Sequence, residues 1–292
     1  MNGIIVIDKP KGATSFTVVR KIKKLSGVKK VGHTGTLDPL ATGVLPICIG
    51  EATKASDFIM EGDKTYEVRF KLGERTNTLD ADGEIIATGI NDPLHVDKDA
   101  LLEVVYTFIG EVLQTPPMYS AIKKDGVPLY KLARNGEEVD REKRKITIYK
   151  ISLLKFELPY VELSVDCSKG TYIRTLVDDI GERLGTYAHV TELRRTKNGI
   201  FNIKDCIKLT EQTTTQDIID HVIPIEDFLK RIMPVVEVDN DTAHKIANGY
   251  MLDLGLKATG VVLSKDSSGH NKLVSINDAK HTLRVFNYQE WK

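Results

Sequence analysis

Thr65-Tyr66-Glu67-Val68-Arg69-Phe70-Lys71-Leu72 alternates without a break, with Tyr66, Val68, Phe70 and Leu72 on one side and polar or charged residues on the other. A period of two is the mark of a strand with one buried and one wetted face. Such strands belong to antiparallel sheets, because doubly wound parallel strands are buried on both faces and read as continuous apolar runs. Upstream, Ile4-Ile5-Val6-Ile7 is a short buried strand closed by the turn Asp8-Lys9-Pro10-Lys11-Gly12. Thr14 or Ser15 can cap a helix carrying Val18, Val19, Ile22 and Leu25 at helical spacing, with Gly27 as its stop. Downstream, Asp97 opens a helix through Leu101, Val104, Val105 and Phe108, and residues 118–124, 146–156 and 160–167 read as strands. Residues 171–184 read as a helix with Leu176, Val177, Ile180 and Leu184 inward. Strands and helices in irregular order, several joined by short turns, predict an α+β domain with a mixed, mainly antiparallel sheet.

The 292 residues, 41% of them apolar, suffice for one large domain with a small companion. Lys plus Arg (41) balance Asp plus Glu (41), so bulk charge draws no nucleic acid, and any such binding needs a local patch. The distribution is uneven. Residues 9–33 hold eight bases and no acid, and residues 205–241 hold nine acids against three bases. The acid-free run is either a solvated helix face or a surface for a polyanion. No apolar run approaches the ~20 residues of a membrane span, and Met1-Asn2-Gly3-Ile4 does not open a signal peptide. Cys48, Cys167 and Cys206 lack CxxC spacing and suit buried thiols in a reducing, cytoplasmic setting. Thr/Gln-rich residues 210–216, then Pro224 and Pro234, set a boundary near Met233-Pro234. Beyond it, residues 233–292 read as a small β-rich module with strands at 260–263, 273–276 and 282–287 and a short helix near 242–248.

The least ordinary stretch is Gly32-His33-Thr34-Gly35-Thr36-Leu37-Asp38-Pro39-Leu40-Ala41-Thr42-Gly43. Its glycines permit positive φ or close approach to a ligand, and Pro39 fixes φ just after the acid. Asp38 is the single carboxylate between Lys9 and Ile49. It is either a nucleophile or general base, given a cation to hold it ionised, or a turn aspartate capping Leu40 onward. Gly27 to Thr34 has phosphate-loop spacing, but His33 stands where the lysine is required and the glycines follow a helix, which argues against an NTPase. Asp80-Ala81-Asp82-Gly83 resembles part of a calcium loop without its closing glutamate, and reads as a loop turning at Gly83. In Cys167-Ser168-Lys169-Gly170-Thr171-Tyr172-Ile173-Arg174, an arginine sits in the first turn of a helix, where the macrodipole disfavours a cation. Arg174 therefore has either a specific anionic partner or a surface salt bridge.

The run GHTGTLDPLATGVLPICIGEATK, with Asp8-Lys9-Pro10 before it and CSKGTYIR after it, closely resembles the bacterial tRNA pseudouridine synthase B family. The resemblance continues through Lys64-Thr65-Tyr66, residues 78–83, Pro116 to Ala121 and His189 to Arg195, and spans roughly residues 3–230 in order. It implies an isomerase acting on the T-loop uridine at position 55 of tRNA. Asp38 falls on the catalytic aspartate, Arg174 on the arginine paired with it, and Tyr172 on the tyrosine assigned to removing the C5 proton. Tyr66 falls on the aromatic that stacks on the target base, His33 on the histidine beside the flipped nucleotides, and Leu193 on an apolar pocket wall. Lys9 and Pro10 fall on a motif supporting the floor of the site. The resemblance also implies a thumb-like RNA-binding insertion at about residues 117–145, carrying Arg141, Lys143, Arg144 and Lys145. In position, residues 233–292 resemble a small PUA domain beside a catalytic domain of residues 1–232.

The isomerisation needs no cofactor and no metal, and the expected partner is the T-arm of tRNA, met by a monomer without a membrane. A uridine within a folded loop must be flipped out to react, and the loop would be recognised by shape and backbone, its unpaired bases read in the pocket. Two rivals remain. A non-catalytic RNA-binding or RNA-folding protein on the same scaffold would normally lack the acid, and Asp38 is present. A guide-dependent relative would carry extensions for which 292 residues leave no room.

Overall fold

The alternation at Thr65–Leu72 is realised as a strand at the centre of the computed structural model, which describes residues 1–250, 252–265, 268–278 and 281–286. In chain order come β1 (Gly3–Lys9), α1 (Ser15–Ser26), β2 (Val31–His33), β3 (Thr42–Ile49), α2 (Ser56–Met60) and β4 (Lys64–Leu72). Next are the hairpin β5 (Glu74–Thr76) and β6 (Ile85–Thr88), then α3 (Lys98–Tyr106), β7 (Gly110–Gln114), β8 (Lys123–Lys124), β9 (Val127–Pro128) and α4 (Leu129–Arg134). The centre closes with β10 (Arg144–Glu157), β11 (Tyr160–Cys167), α5 (Ile173–Arg183) and β12 (Ala188–Asn198). Short elements follow: β13 (Phe201–Asn202), β14 (Ile207–Lys208), α6 (Thr215–His221), β15 (Ile223–Pro224) and α7 (Ile225–Leu229). A second sheet holds β16 (Val235–Glu237), β17 (Gly260–Lys265), β18 (Asn271–Asn277) and β19 (Thr282–Val285), with α8 (Asn240–Ala247) beside it.

The main sheet runs β14-β1-β3-β12-β4-β11-β10-β7, with β2, β13 and β15 at its margins. Its pairings are antiparallel except β1 with β14 and β3 with β12, so the fold is α+β with a mixed, mainly antiparallel sheet. The β3–β12 junction depends on a glycine. Gly43 has φ +102°, and a Cβ there would lie 2.2 Å from the carbonyl oxygen of Arg195.

One face of the sheet packs α1, α3 and α5 over Ile5, Ile47, Val68, Phe70, Leu163 and Val190. The other buries Ile4, Val6, Val44 and Cys48 against Phe201, Phe228 and the second sheet's Val261, Leu263 and Ile276. The small sheet thus shares a core with the back of the large one. Helix α1 starts and stops where its sequence says: Thr14 Oγ1 accepts from the Thr17 amide, and Gly27 ends it in the left-handed region at φ 67°. No described helix is long and apolar enough to cross a membrane.

Four expectations are adjusted. Residues 118–124 form no continuous strand, since the Tyr119 carbonyl is taken by Arg174 and the Ser120 carbonyl by the Tyr130 amide, leaving only Lys123–Lys124 paired. The loop expected over residues 32–43 is bordered by strand pairing, as β2 lies antiparallel on β3. Cys48 and Cys167 are buried, but Cys206 is only half-buried. Of the strand expected at 282–287, residue 287 lies outside the described residues, and the pairing ends at Val285.

Candidate active site

The loop after β2 carries Asp38 across the end of the sheet, and three anchors fix it. The Leu37 amide donates to Ser15 Oγ (2.9 Å), which donates in turn to the Leu37 carbonyl (3.1 Å), clipping the loop to the start of α1. The Gly12 amide donates to the Pro39 carbonyl at 2.8 Å. Lys9 Nζ reaches the carbonyls of Ala13 (2.6 Å), Pro10 (3.0 Å) and Pro39 (3.3 Å) from beneath. Burial, partly offset by attraction to Asp38, lowers the Lys9 ammonium from 10.5 to about 8. Lys9 is sealed from solvent, so it holds the loop from within and offers no charge to a substrate. Pro10 is exposed and lies outside the cleft walls.

Arg174, in the first turn of α5, has the anionic partner that its position calls for. Its Nε is 2.9 Å from Asp38 Oδ2 and its Nη2 donates to Asp38 Oδ1 at 3.1 Å, a two-pronged grip that fixes the carboxylate plane. Arg174 is 4% exposed and Asp38 33%, so the cation is buried behind an acid that faces the cleft. The rest of the guanidinium is accounted for: Nη1 donates to the Thr78 carbonyl (2.8 Å), Nη2 also to the Tyr119 carbonyl (2.8 Å), and Asp80 Oδ2 stands 3.6 Å from Nη1. Asp38's backbone carbonyl closes a turn with the Ala41 amide at 3.1 Å, while its side chain is taken by Arg174.

Asp38 opens onto a cleft of about 540 Å³ whose walls include Tyr66, Ser120, Tyr172, Ile173, Arg174 and Leu193. Six basic side chains line it (Lys64, Arg144, Lys145, Lys169, Arg174, Arg195) against one acid, Asp38, with Lys145 paired to Glu111 and Lys169 to Glu61, so a chain with no net charge presents a cleft with an excess of cations. Tyr66 lies on the inward face of β4, its phenol pushed up by burial despite the nearby Arg195. Tyr172 caps α5, and Gln114 clamps its backbone from both sides: the Tyr172 amide donates to Oε1 (2.8 Å) and Nε2 donates to the Tyr172 carbonyl (3.0 Å). Burial raises the Tyr172 phenol too, with the Asp38 charge adding to the effect.

Asp38, Tyr66, Tyr172, Arg174 and Leu193 thus converge, whereas His33 sits on β2 outside the cleft walls. Burial and the Arg195 charge lower its pKa, so the imidazole is held neutral. Asp80, Gln114 and Arg195 were not singled out by role in the sequence. Arg195 is buried and spans the loop and sheet, its Nε donating to the Val44 carbonyl (2.8 Å) and its Nη2 to the Gly35 carbonyl (3.2 Å).

Comparison with known proteins fits this arrangement. A family model described as TruB family pseudouridylate synthase (N terminal domain) matches residues 23–173, and one described as tRNA pseudouridylate synthase B C-terminal domain matches residues 174–237. The chain belongs to the TruB family. The synthase is 50% identical over 249 residues to tRNA pseudouridine synthase B of Clostridium tetani, covering 85% of each chain. With the enzyme of the same name from Vibrio cholerae it shares 45% identity over 287 residues, 94% of this chain and 90% of that one. Among solved structures it is similar to a chain of a Cbf5-Nop10-Gar1 complex, with TM-score 0.68 and 29% identity, covering 99% of this chain and 80% of that one. It is therefore a tRNA-modifying enzyme that converts uridine to pseudouridine.

Proposed function

We propose that the target is the T-loop uridine at position 55 of tRNA and that Asp38 is the catalytic residue. The observation that carries this reading is the half-exposed Asp38 carboxylate, gripped by a buried guanidinium and facing a cationic cleft walled by two tyrosines. Arg174 aims the acid and balances its charge. The isomerisation breaks the bond from ribose C1′ to uracil N1, turns the base and joins C1′ to C5. The C5 proton leaves and N1 gains one, so no oxidant or reductant is consumed. Asp38 takes the part of nucleophile or base toward the flipped nucleotide. Tyr66, on a strand and therefore rigid, is the stacking platform for the uracil, and Leu193 bounds the pocket on its apolar side. Tyr172 is the group that relays the C5 proton. Its raised phenol carries its own proton at neutral pH, so it accepts one only as it gives one up.

The exposed cations of α1 (Arg20, Lys23, Lys24) and of the segment 117–145 (Lys123, Lys124, Lys143, Arg144) bind phosphates, with 117–145 as an RNA-binding thumb. Residues 1–232 form the catalytic domain and residues 233–292 the PUA-like module. The test uses tRNA carrying tritium at uridine C5, beside a transcript altered at the target position. Wild-type protein should release tritium only from the first. Asp38→Asn should release none while binding tRNA within about tenfold of wild type. Wild-type turnover by Asp38→Asn, or equal release from the altered transcript, would remove the assignment.

A further inference from the structure

A lone exposed apolar side chain needs no explanation, but Phe16 is not placed like one. It lies at the second position of α1, 64% exposed, with the Arg20 guanidinium over its ring at 5.4 Å from the centroid. Phe16, Arg20, Lys23 and Lys24 follow at i, i+4, i+7 and i+8, which puts them along one stripe of the helix, and all four are exposed. The opposite face, Val18, Val19 and Ile22, is buried in the core, so the stripe cannot rotate inward. No acid lies within residues 9–33, and among the described residues no carboxylate pairs with Arg20, Lys23 or Lys24. From α1, Lys21 donates to the carbonyl of Thr210, ahead of the neighbouring helix α6, and the Leu25 carbonyl accepts from Thr215 Oγ1 at the start of α6. The two acids of α6 are engaged within that segment, Asp217 by the Thr214 cap and Asp220 by Gln216 Nε2 at 2.7 Å.

The stripe also starts beside a residue tied to the cleft wall. Ser15, the residue before Phe16, is the one clipped to both backbone groups of Leu37, and Leu37 and Thr36 line the cleft beside Asp38. An aromatic ring with a stacked guanidinium beside a run of cations is the physical description of a platform for an unpaired nucleobase with its phosphates. We infer that Phe16 and Arg20 form a second base-stacking site, which takes an unpaired tRNA base outside the reactive pocket while Lys23 and Lys24 follow the adjoining backbone. The inference rests on the reading of the Asp38 cleft as the reactive site. It adds to that reading a surface that contributes to affinity and register without touching the reacting uridine.

Phe16 is exposed, so its substitution leaves the core intact, and wild-type thermal melting for each variant checks this. With full-length tRNA, Phe16→Ala should weaken equilibrium binding roughly five- to hundredfold, raise KM in parallel and leave kcat at saturating tRNA unchanged. Phe16→Trp should retain binding, and Phe16→Leu, apolar but without a π face, should not. The slope of log affinity against log salt should stay that of wild type in Phe16→Ala and become shallower in Arg20→Gln. Wild-type affinity in Phe16→Ala, or equal binding by the Leu and Trp variants, would overturn the platform. So would Phe16-dependent binding to anionic phospholipid vesicles with tRNA affinity unaltered. Failure of the cleft reading shows separately, as tritium release by Asp38→Asn, whatever the Phe16 variants do.

Discussion

At the scale of single residues, the site turns on how one guanidinium is shared. Arg174 is buried, and a buried cation is costly unless its charge and its donors are met. Asp38 meets it from the cleft side, Asp80 from the protein side, and the Thr78 and Tyr119 carbonyls take further donors. Asp80 is itself fixed, its Oδ1 accepting from Thr78 Oγ1 (2.7 Å) and from the Asp82 amide (3.1 Å). Removing the Asp80 charge leaves Asp38 as the sole carboxylate within reach of Arg174 and loosens the arginine's rear support. Asp80→Asn should therefore slow the single-turnover rate at least roughly tenfold, with tRNA affinity unchanged because Asp80 is not a cleft wall. Unaltered single-turnover kinetics would make Asp80 a loop residue and nothing more. The need for an anion beside Arg174 was legible from the helix position alone, and Asp38's isolation marked it as unusual. Asp80 was not legible, because Asp-Ala-Asp-Gly reads as a turn and its partner lies 94 residues away in the chain, at a distance only folding closes.

At the scale of elements, α5 and the hairpin β5–β6 are tied by a crossed pair of charges. The helix contributes Arg174 and, one turn on, Asp178, and the hairpin contributes Arg75 and, just past β5, Asp80. Arg75 Nη2 lies 2.5 Å from Asp178 Oδ2, and Asp178 is 5% exposed. Burial nonetheless wins over the arginine, raising the Asp178 carboxyl from 3.8 to about 6. Between those values the native protein keeps a proton that the unfolded chain has released. The resulting stabilisation is complete below pH 3.8 and is lost as pH rises through about 6. The melting temperature of wild type relative to Asp178→Asn should thus fall from about pH 4 to about pH 6 and be level above. A difference that is flat through that window would mean that Asp178 is ionised throughout.

The same scale explains which elements could be read beforehand. Helix α1 announces itself by cap, period and glycine stop, and β4 by strict alternation. β12 does not, because bulges between Val190 and Glu192 and between Arg195 and Lys197 break its alternation twice within eleven residues. β3 is buried along nearly all its length and contains Gly43 and Pro46, so it shows neither alternation nor an uninterrupted apolar run. The order of strands in the sheet follows from neither pattern, since β12 inserts between β3 and β4, more than a hundred residues from both in the chain.

For the whole molecule the governing quantity is where charge lies. A formal net charge of zero would predict indifference to a polyanion, yet six cations line the cleft and the exposed stripe of α1 adds three more, while none of the acids of residues 205–241 lines the cleft. Attraction to tRNA is then local and short-ranged, acting within the ~8 Å over which physiological salt leaves a field standing. The observed affinity should fall steeply as salt rises, the logarithmic slope counting the phosphates engaged. In the double variant Lys23→Gln, Lys24→Gln, the slope should become shallower by roughly 0.7–0.9 for each phosphate no longer neutralised. Catalysis at saturating tRNA should be untouched, because neither lysine borders the cleft. Replacing Glu237 and Asp241, exposed on the second sheet and its helix across the main sheet from α1, by their amides raises the net charge by the same amount that the lysine variant lowers it, and should leave the slope where it was. If the two double variants shift the slope equally and oppositely, total charge sets the attraction and the patch on α1 carries no special share of it.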